Sequence, residues 1–445
     1  MNRLSLAVAV SLAASMLHCA PVSADDLMQI YQEAERNDPA LAAAKANFEA
    51  TKEAVPQALS ALLPNVSLTG ALNANNYDAS IHSDPHVDVK RDFWFGGLTV
   101  SVAQPLYRYA NTVAYSEAKK QVEQSDYTLA AAQQDLVLRV AVAYFDILLA
   151  QFNVELSQSQ KAAVSEQLAQ AKRNFEVGVA TITDTNEAQA QYDSIVAQEI
   201  SARNDLENKR TALRAIIGRD PPELKRLGTQ FDPSLPSPDS LDYWVQHALT
   251  DNIGVKIAQF NSDIATLEVD RQRAGHLPTL DLVGSYNAQG SNGTVLSGVD
   301  SNSRQAVIGL ALNVPIYEGG FVNSRVRQAI ALQDSARQNL ELARRNALSN
   351  AQIGFTGVTS AVASVGAFKQ ALVSAETAYE SNKTGQEVGV RTNLDVLNTQ
   401  QNVFQRRRDL AQAYFNYLVG VLRLKSAVGT LSVDDLQQIN VRLQG

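Results

Sequence analysis

Three groups of residues have types and spacings that could carry chemistry. His82 and His86 stand with Asp84 and Asp88 in one polar segment, a donor set that suits a divalent cation. Pro85 breaks that set, though, and its neighbours are those of a solvated loop. Ser116 and Lys119 have the Ser-x-x-Lys spacing of an activated nucleophile but fall inside a long helical pattern with no companion motif. The third group is Asp184 and Asp395, each a few residues beyond a Val-Gly pair in two similar stretches, FEVGVATITDTNE and GQEVGVRTNLDVLN. No base or nucleophile accompanies them. The chain has no G-x-S-x-G elbow, no H-E-x-x-H pair and no glycine-rich phosphate loop. The chemistry open to the two carboxylates is therefore electrostatic, either a field of fixed sign or the capping and solvation of helix starts beyond a glycine turn. Catalysis, a cofactor and a bound metal are not expected.

The two stretches belong to an internal repeat. Gly178 corresponds to Gly389, Asp184 to Asp395 and Glu187 to Asn398, all at an offset of 211 residues. Pro64 and Pro278 match at 214, Pro105 and Pro315 at 210, and Gly218 and Gly429 at 211. The matched elements keep their length while a polar loop absorbs the differences. The organisation read from this is a leader at 1–24, a first repeat at 25–218, a Pro-rich linker at 219–240, a second repeat at 241–429 and a short segment at 430–445. Each repeat reads as helix, strand hairpin (about 65–104 and 279–314), long helix (about 106–176 and 321–386), glycine tip and return helix (about 184–217 and 393–428).

Within the hairpins, Val66, Leu68, Gly70 and Leu72 alternate with Ser67, Thr69 and Ala71. Leu98, Val100 and Val102 do the same behind the aromatic cluster Phe93-Trp94-Phe95, as do Leu280, Leu282 and Gly284, and then Ile308, Leu310, Leu312 and Val314. A period of two with one apolar face marks a strand. Residues 75–92 and 287–305 read as long polar loops between them. Such hairpins fit an outer-membrane barrel and also a soluble sheet with one wet face. The helices decide between the two. From Leu106 to Val177 run 72 residues with no glycine or proline, a helix on the order of 100 Å long, which no compact domain needs. Val164, Leu168, Ala171 and Phe175 step along it by fours and threes, as do Tyr414, Tyr417, Val421 and Leu424 on the second return arm, the stride of a coiled coil. Gly354, Gly357 and Gly366 on the second outward arm read as places of close helix contact.

Arg3, the apolar run Leu4–Leu17 and the small-residue site Val22-Ser23-Ala24 form a cleavable secretory signal. Cys19, the chain's one cysteine, lies within it behind Met16, Leu17 and His18, which does not suit lipidation. No later run is read as a membrane-spanning helix, since the best stretch, 136–150, contains Arg139 and Asp146. A formal net charge of −8 argues against a nucleic-acid partner. Membrane entry must then use strands. Four strands cannot close a barrel alone, so the sequence calls for further copies.

The order of elements, together with VGVATITD (177–184), VGVRTNLDVL (388–397), YFNYLVGVLRLKSAVGTL (414–431) and the two P-(L/I)-Y junctions, resembles the TolC-type outer-membrane efflux and secretion ducts over essentially the whole mature chain. The resemblance implies an α+β membrane protein and a homotrimer. Its twelve-stranded β-barrel, four strands from each protomer, would sit in outer-membrane lipid of a Gram-negative bacterium and continue as a long α-helical coiled-coil tunnel through the periplasm. It would be the exit duct of a tripartite efflux pump or type I secretion system. A periplasmic adaptor (membrane fusion protein) and an inner-membrane transporter of RND, ABC or MFS type would open its periplasmic end.

By resemblance, Asp395 forms a selective constriction, with Asn398 where relatives place a second Asp. A closed-state latch would join Arg391 and Gln386 of the second tip to Thr183 and Asp184 of the first. Gln386 stands at a position occupied by Tyr in the family. Val177, Gly178, Val388 and Gly389 would be the adaptor-docking tips. The competing expectation is a periplasmic coiled-coil adaptor without a channel, whose strands would pair in water.

Overall fold

The computed structural model describes residues 25–81, 87–228, 232–294, 299–441 and 443–444. The leader with Cys19, and His82, Asp84, Pro85 and His86, lie outside the described residues.

Three short helices open the first repeat, α1 (Leu27–Asn37), α2 (Pro39–Lys52) and α3 (Ala54–Ser60). Pro39 occupies the first turn of α2, where its missing N–H costs nothing, and Asp38 caps that turn. Strands β1 (Asn65–Ile81) and β2 (Val87–Tyr107) follow, then α4 (Tyr109–Glu176) and α5 (Ile182–Ile217). After the short strand β3 (Arg226–Leu227) the order recurs as α6 (Leu241–Asp251), α7 (Ile253–Arg273), β4 (Thr279–Ser291), β5 (Ser301–Asn313), α8 (Phe321–Glu387) and α9 (Asn393–Val428). A short α10 (Val433–Asn440) and β6 (Leu443–Gln444) come last, with β6 pairing β3.

The four long strands make one antiparallel sheet in the order β1-β2-β4-β5. Register fixes its two faces, since successive side chains alternate. Val66 pairs Val102, Leu68 pairs Val100, Val100 pairs Tyr286 and Gly284 pairs Ile308. One face therefore reads apolar across all four strands. The opposite face carries Ser67, Thr69, Ser101, Thr99, Asn287 and Gln305 through the same pairings. The Ser67 and Ser101 hydroxyls meet at 2.8 Å on it.

Nothing among the described residues of the protomer covers the apolar face. Leu72 is 77% and Ile308 80% exposed, and Val66, Leu68, Leu98, Leu310 and Leu312 are exposed with them. Leaving such side chains in water forfeits roughly 1.5–3 kcal/mol each. The outer strands β1 and β5 also keep one edge unpaired, and an exposed apolar edge strand invites pairing with another chain.

The polar stretch 75–92 is not the loop its composition suggests. Strands β1 and β2 stay paired from Asn76↔Asp92 out to Ile81↔Val87. Asn76 donates to Asp92 (2.7 Å), Ser80 to Asp88 (2.6 Å), and Lys90 pairs Asp78 at 3.0 Å. Cross-strand polar pairs hold this ribbon together. Alternation continues there, with Tyr77, Ala79 and Val89 on one face and Asn76, Asp78, Lys90 and Asp92 on the other, but the apolar residues now share the face that carries Ser67 and Thr69, and the many charges mask the period. In the second copy β4 likewise reaches Ser291 and β5 begins at Ser301, so the segment 287–305 is mostly strand.

Where sheet becomes helix, the Arg108 guanidinium grips Asp281 of β4 with two hydrogen bonds of 2.8 and 2.6 Å. Midway along the helices sits the main core, built from α1, α4, α5, α6, α8, α9 and α10 around Tyr144, Phe145, Leu213, Trp244, Val358, Leu418 and Leu422. An 18-residue window in α4, and another in α8, is apolar enough in composition to cross a membrane, contrary to the expectation that no such run exists. In α4 half of that window is buried inside the protein. Arg139 there pairs with Asp38 and Asp146 with Lys209 at 2.8 Å. This stretch serves the core of the belt.

The coiled-coil seam is buried at Val164, Leu168, Ala171, Tyr417 and Leu424, and opens at Phe175 near the tip. Gly354 does mark a close contact, since an added Cβ would lie 3.2–3.4 Å from Leu424. Gly357 and Gly366 face open space within the protomer.

Candidate functional site: the paired helical tips

Each long hairpin turns over in the same five-residue gap, and the residue types explain how. Helix α4 ends at Glu176, Gly178 adopts φ +77°, and the Gly178 and Val179 amides return to the Phe175 and Asn174 carbonyls at 3.0 and 2.9 Å. Helix α8 ends at Glu387, Gly389 adopts φ +79°, and Gly389 and Val390 donate to Gln386 and Gly385 at 3.0 and 2.8 Å. This is a glycine C-cap of the left-handed kind, open to glycine at little strain. Gly385, which on composition looks like a second interruption, lies within α8.

The return helices start just as regularly. Thr181 caps α5, its backbone N–H and hydroxyl donating to Asp184 Oδ2 at 2.9 and 2.8 Å while its oxygen accepts from the Asp184 amide at 3.2 Å. Thr392 caps α9 through Asp395 with distances of 3.0, 2.9 and 3.2 Å. Both are capping boxes. The Thr392 backbone N–H, the Thr392 hydroxyl and then Arg391 nearby hold the Asp395 carboxyl below the usual carboxylate range. It is a fixed negative charge at the start of α9.

Arg391 lies over Gly385, where an added Cβ would come within 2.7 Å of the Arg391 Cγ. Its chain is thus laid along α8 by the missing side chain at 385. Gln386 donates to Asn393 Oδ1 at 3.2 Å. Asn398 and Thr183 are exposed. Among the described residues of one protomer, Arg391 and Asp184 form no ion pair. Two polar atoms near the tips, Thr185 Oγ1 and Asn393 Nδ2, are buried without a partner. The hairpins meet through a small cluster in which Leu397 of α9 packs with Leu168, Ala171, Ala188 and Tyr192 of α4 and α5. The ends themselves are apolar and bare, with Val179 74% and Val390 76% exposed and Val177, Ile182, Val388 and Leu394 exposed beside them.

Asp184 and Asp395 do serve helix starts beyond a glycine turn, but the N-caps are Thr181 and Thr392, which the Thr-x-x-Asp spacing of a capping box marks in the sequence. The supporting role of Gly385 had no such signal, because it depends on where the side chain six residues later comes to rest. No group of His, Cys, Asp and Glu suited to a metal occurs among the described residues. The arrangement offers fixed charge, exposed apolar ends and two glycine turns.

Comparison with known proteins adds to this geometry. The sequence model described as "Outer membrane efflux protein" matches residues 30–219 and 244–430, one match to each repeat. The chain is 36% identical over 424 residues to the outer membrane protein TolC of Vibrio cholerae serotype O1, covering 95% of each. It is 30% identical to the alkaline protease secretion protein AprF of Pseudomonas aeruginosa, covering 93% of this chain and 86% of that one. Its fold resembles the outer membrane protein VceC from Vibrio cholerae, with a TM-score of 0.75 at 19% identity over 91% of this chain and 96% of that one. It also resembles the Campylobacter jejuni CmeC outer membrane channel, with a TM-score of 0.77 at 17% identity over 94% and 90%.

Proposed function

The chain belongs to the outer membrane efflux protein family, and from that premise we propose that three copies form an outer-membrane channel-tunnel, the exit duct of an efflux or type I secretion system. The observation that carries this reading is the sheet. Its continuous apolar face and two unpaired edges have no use in a soluble monomer, and both needs are met when sheets join edge to edge in lipid. Three sheets of four strands give twelve. The helical hairpins, each on the order of 100 Å long, carry the lumen on through the periplasm.

The duct performs no catalysis. In this reading three Asp395 carboxylates meet near the axis and favour cations, with Asn398 adding polar but uncharged lining. Arg391 and Gln386 reach Thr183 and Asp184 across the tips and hold the closed state, and opening breaks those contacts. The bare valines beside Gly178 and Gly389 dock a periplasmic adaptor, which links the duct to an inner-membrane pump.

Fractionation tests the reading. The protein should run as a heat-resistant trimer in the outer membrane, and Leu310→Lys should block insertion, since a basic residue facing mid-bilayer lipid costs about 2–4 kcal/mol. Recovery of wild type and variant alike from the soluble periplasm would favour the adaptor, because a position already exposed to water tolerates lysine.

A further inference from the structure

The aromatic run at 93–95 does not act as one cluster. Alternation sends Trp94 to the apolar face, where its ring lies against the edges of Gly96 and Gly290, in the place of an interfacial aromatic belt. Phe93 and Phe95 point to the polar face, the one that lines the lumen in the reading above, and both are half-buried. They stand at the outer end of that face, where the β2–β4 pairing stops at Phe95↔Ser291.

Residues 292–294, which follow β4, then turn towards them. Asn292 is tied to Trp94 by two hydrogen bonds, the Trp94 amide to Asn292 Oδ1 at 2.7 Å and the Asn292 amide to the Trp94 carbonyl at 3.3 Å. Beyond it Gly293 and Thr294 wall a recess of about 390 Å³ with Phe93, Phe95, Asn73 and Asn75. Arg91, two residues outward on the same face, donates to the Thr294 carbonyl at 3.4 Å. An aromatic pair and an inward-bent segment thus meet on the lumen side at the mouth of the barrel.

We infer that Phe93 and Phe95, braced by Gly293 and Thr294, form an apolar collar that narrows the extracellular exit, a second constriction at the opposite end of the duct from the tips. This rests on the lumen assignment proposed above. Apolar rings in a water-filled passage narrow it and also resist wetting. Large solutes are then hindered from entering from outside, while cargo driven from the periplasm leaves past side chains that rotate aside.

Thr99 serves as a reporter. It lies on the same face as Phe95, four residues deeper, on the order of 13 Å along the strand. Cys19 is the chain's one cysteine and falls in the leader, so Thr99→Cys gives the mature protein a unique thiol. Intact cells carrying Thr99→Cys are treated with maleimides of graded polyethylene-glycol length, with and without Phe93→Ala and Phe95→Ala. Small reagents should label both, and the size limit should rise in the double variant. Phe95→Trp should lower it.

An unchanged limit in every variant would overturn the collar. Failure of even the smallest reagent to label Thr99→Cys in correctly assembled trimers would instead overturn the lumen assignment. Leu98→Cys, on the lipid face, is the control and should stay unlabelled.

Discussion

Gly385 leaves room for a single neighbouring side chain, and that side chain is Arg391. Any residue larger than glycine at 385 must push the guanidinium away from α8. If Arg391 holds the tips closed, Gly385→Ala and Arg391→Ser should both raise single-channel conductance, although only one removes the charge. No change in either variant would leave Arg391 as a solvated surface residue. The carboxylates behave differently at this scale. Asp395 is bonded to its own Thr392 cap, so its position is set by the start of α9 and does not depend on a partner copy. The helix start was legible in the Thr-x-x-Asp spacing and the turn in the Val-Gly pairs. The absence of an Arg391–Asp184 pair within one protomer was not, because two distant hairpins set that distance.

At the scale of elements, the core midway along the helices includes a buried charged contact that the sequence did not advertise. Asp38 is only 4% exposed, caps α2 and receives both Arg139 amino groups at 3.1 and 2.9 Å. The hydrogen bonds from Arg139 hold its carboxyl below the usual carboxylate range. A group whose folded pKa is depressed adds stability above its unfolded pKa, and that stability is lost as pH falls through the folded value. The contact should therefore persist through mildly acidic pH and fail only below the ordinary carboxylate range. Asp38→Asn should cost about 1.5–3 kcal/mol at neutral pH, read as loss of heat resistance in the trimer, with the difference from wild type closing in strong acid. A constant difference at all pH values would contradict this.

The strands and long helices were legible because their periods are long and clean. The ribbon beyond Asn75 was missed, since its apolar residues Tyr77, Ala79 and Val89 switch to the face that is polar nearer the helices and lie among many charges. The apolar window in α4 misleads in the other direction, because composition alone does not tell a belt core from a membrane span.

On the scale of the whole molecule, duplication makes a wall element with open edges and two free tips, and everything else about it follows from what closes those edges and covers those tips. The tips turn through φ of +77° and +79° at Gly178 and Gly389, a region that side chains rarely adopt. Gly178→Trp or Gly389→Trp should abolish export while trimers still insert, as read by cargo secretion and outer-membrane fractionation. Intact export would remove the tips from the docking surface.

The open sheets should close into a conducting barrel with a carboxylate constriction at its far end. Conductance of the purified trimer in a planar bilayer, with and without Asp395→Ala, tests it most directly. A small cation-selective conductance that loses its selectivity in the variant is the expected result. Well-folded protein that forms no channel would contradict the account and return the strands to water.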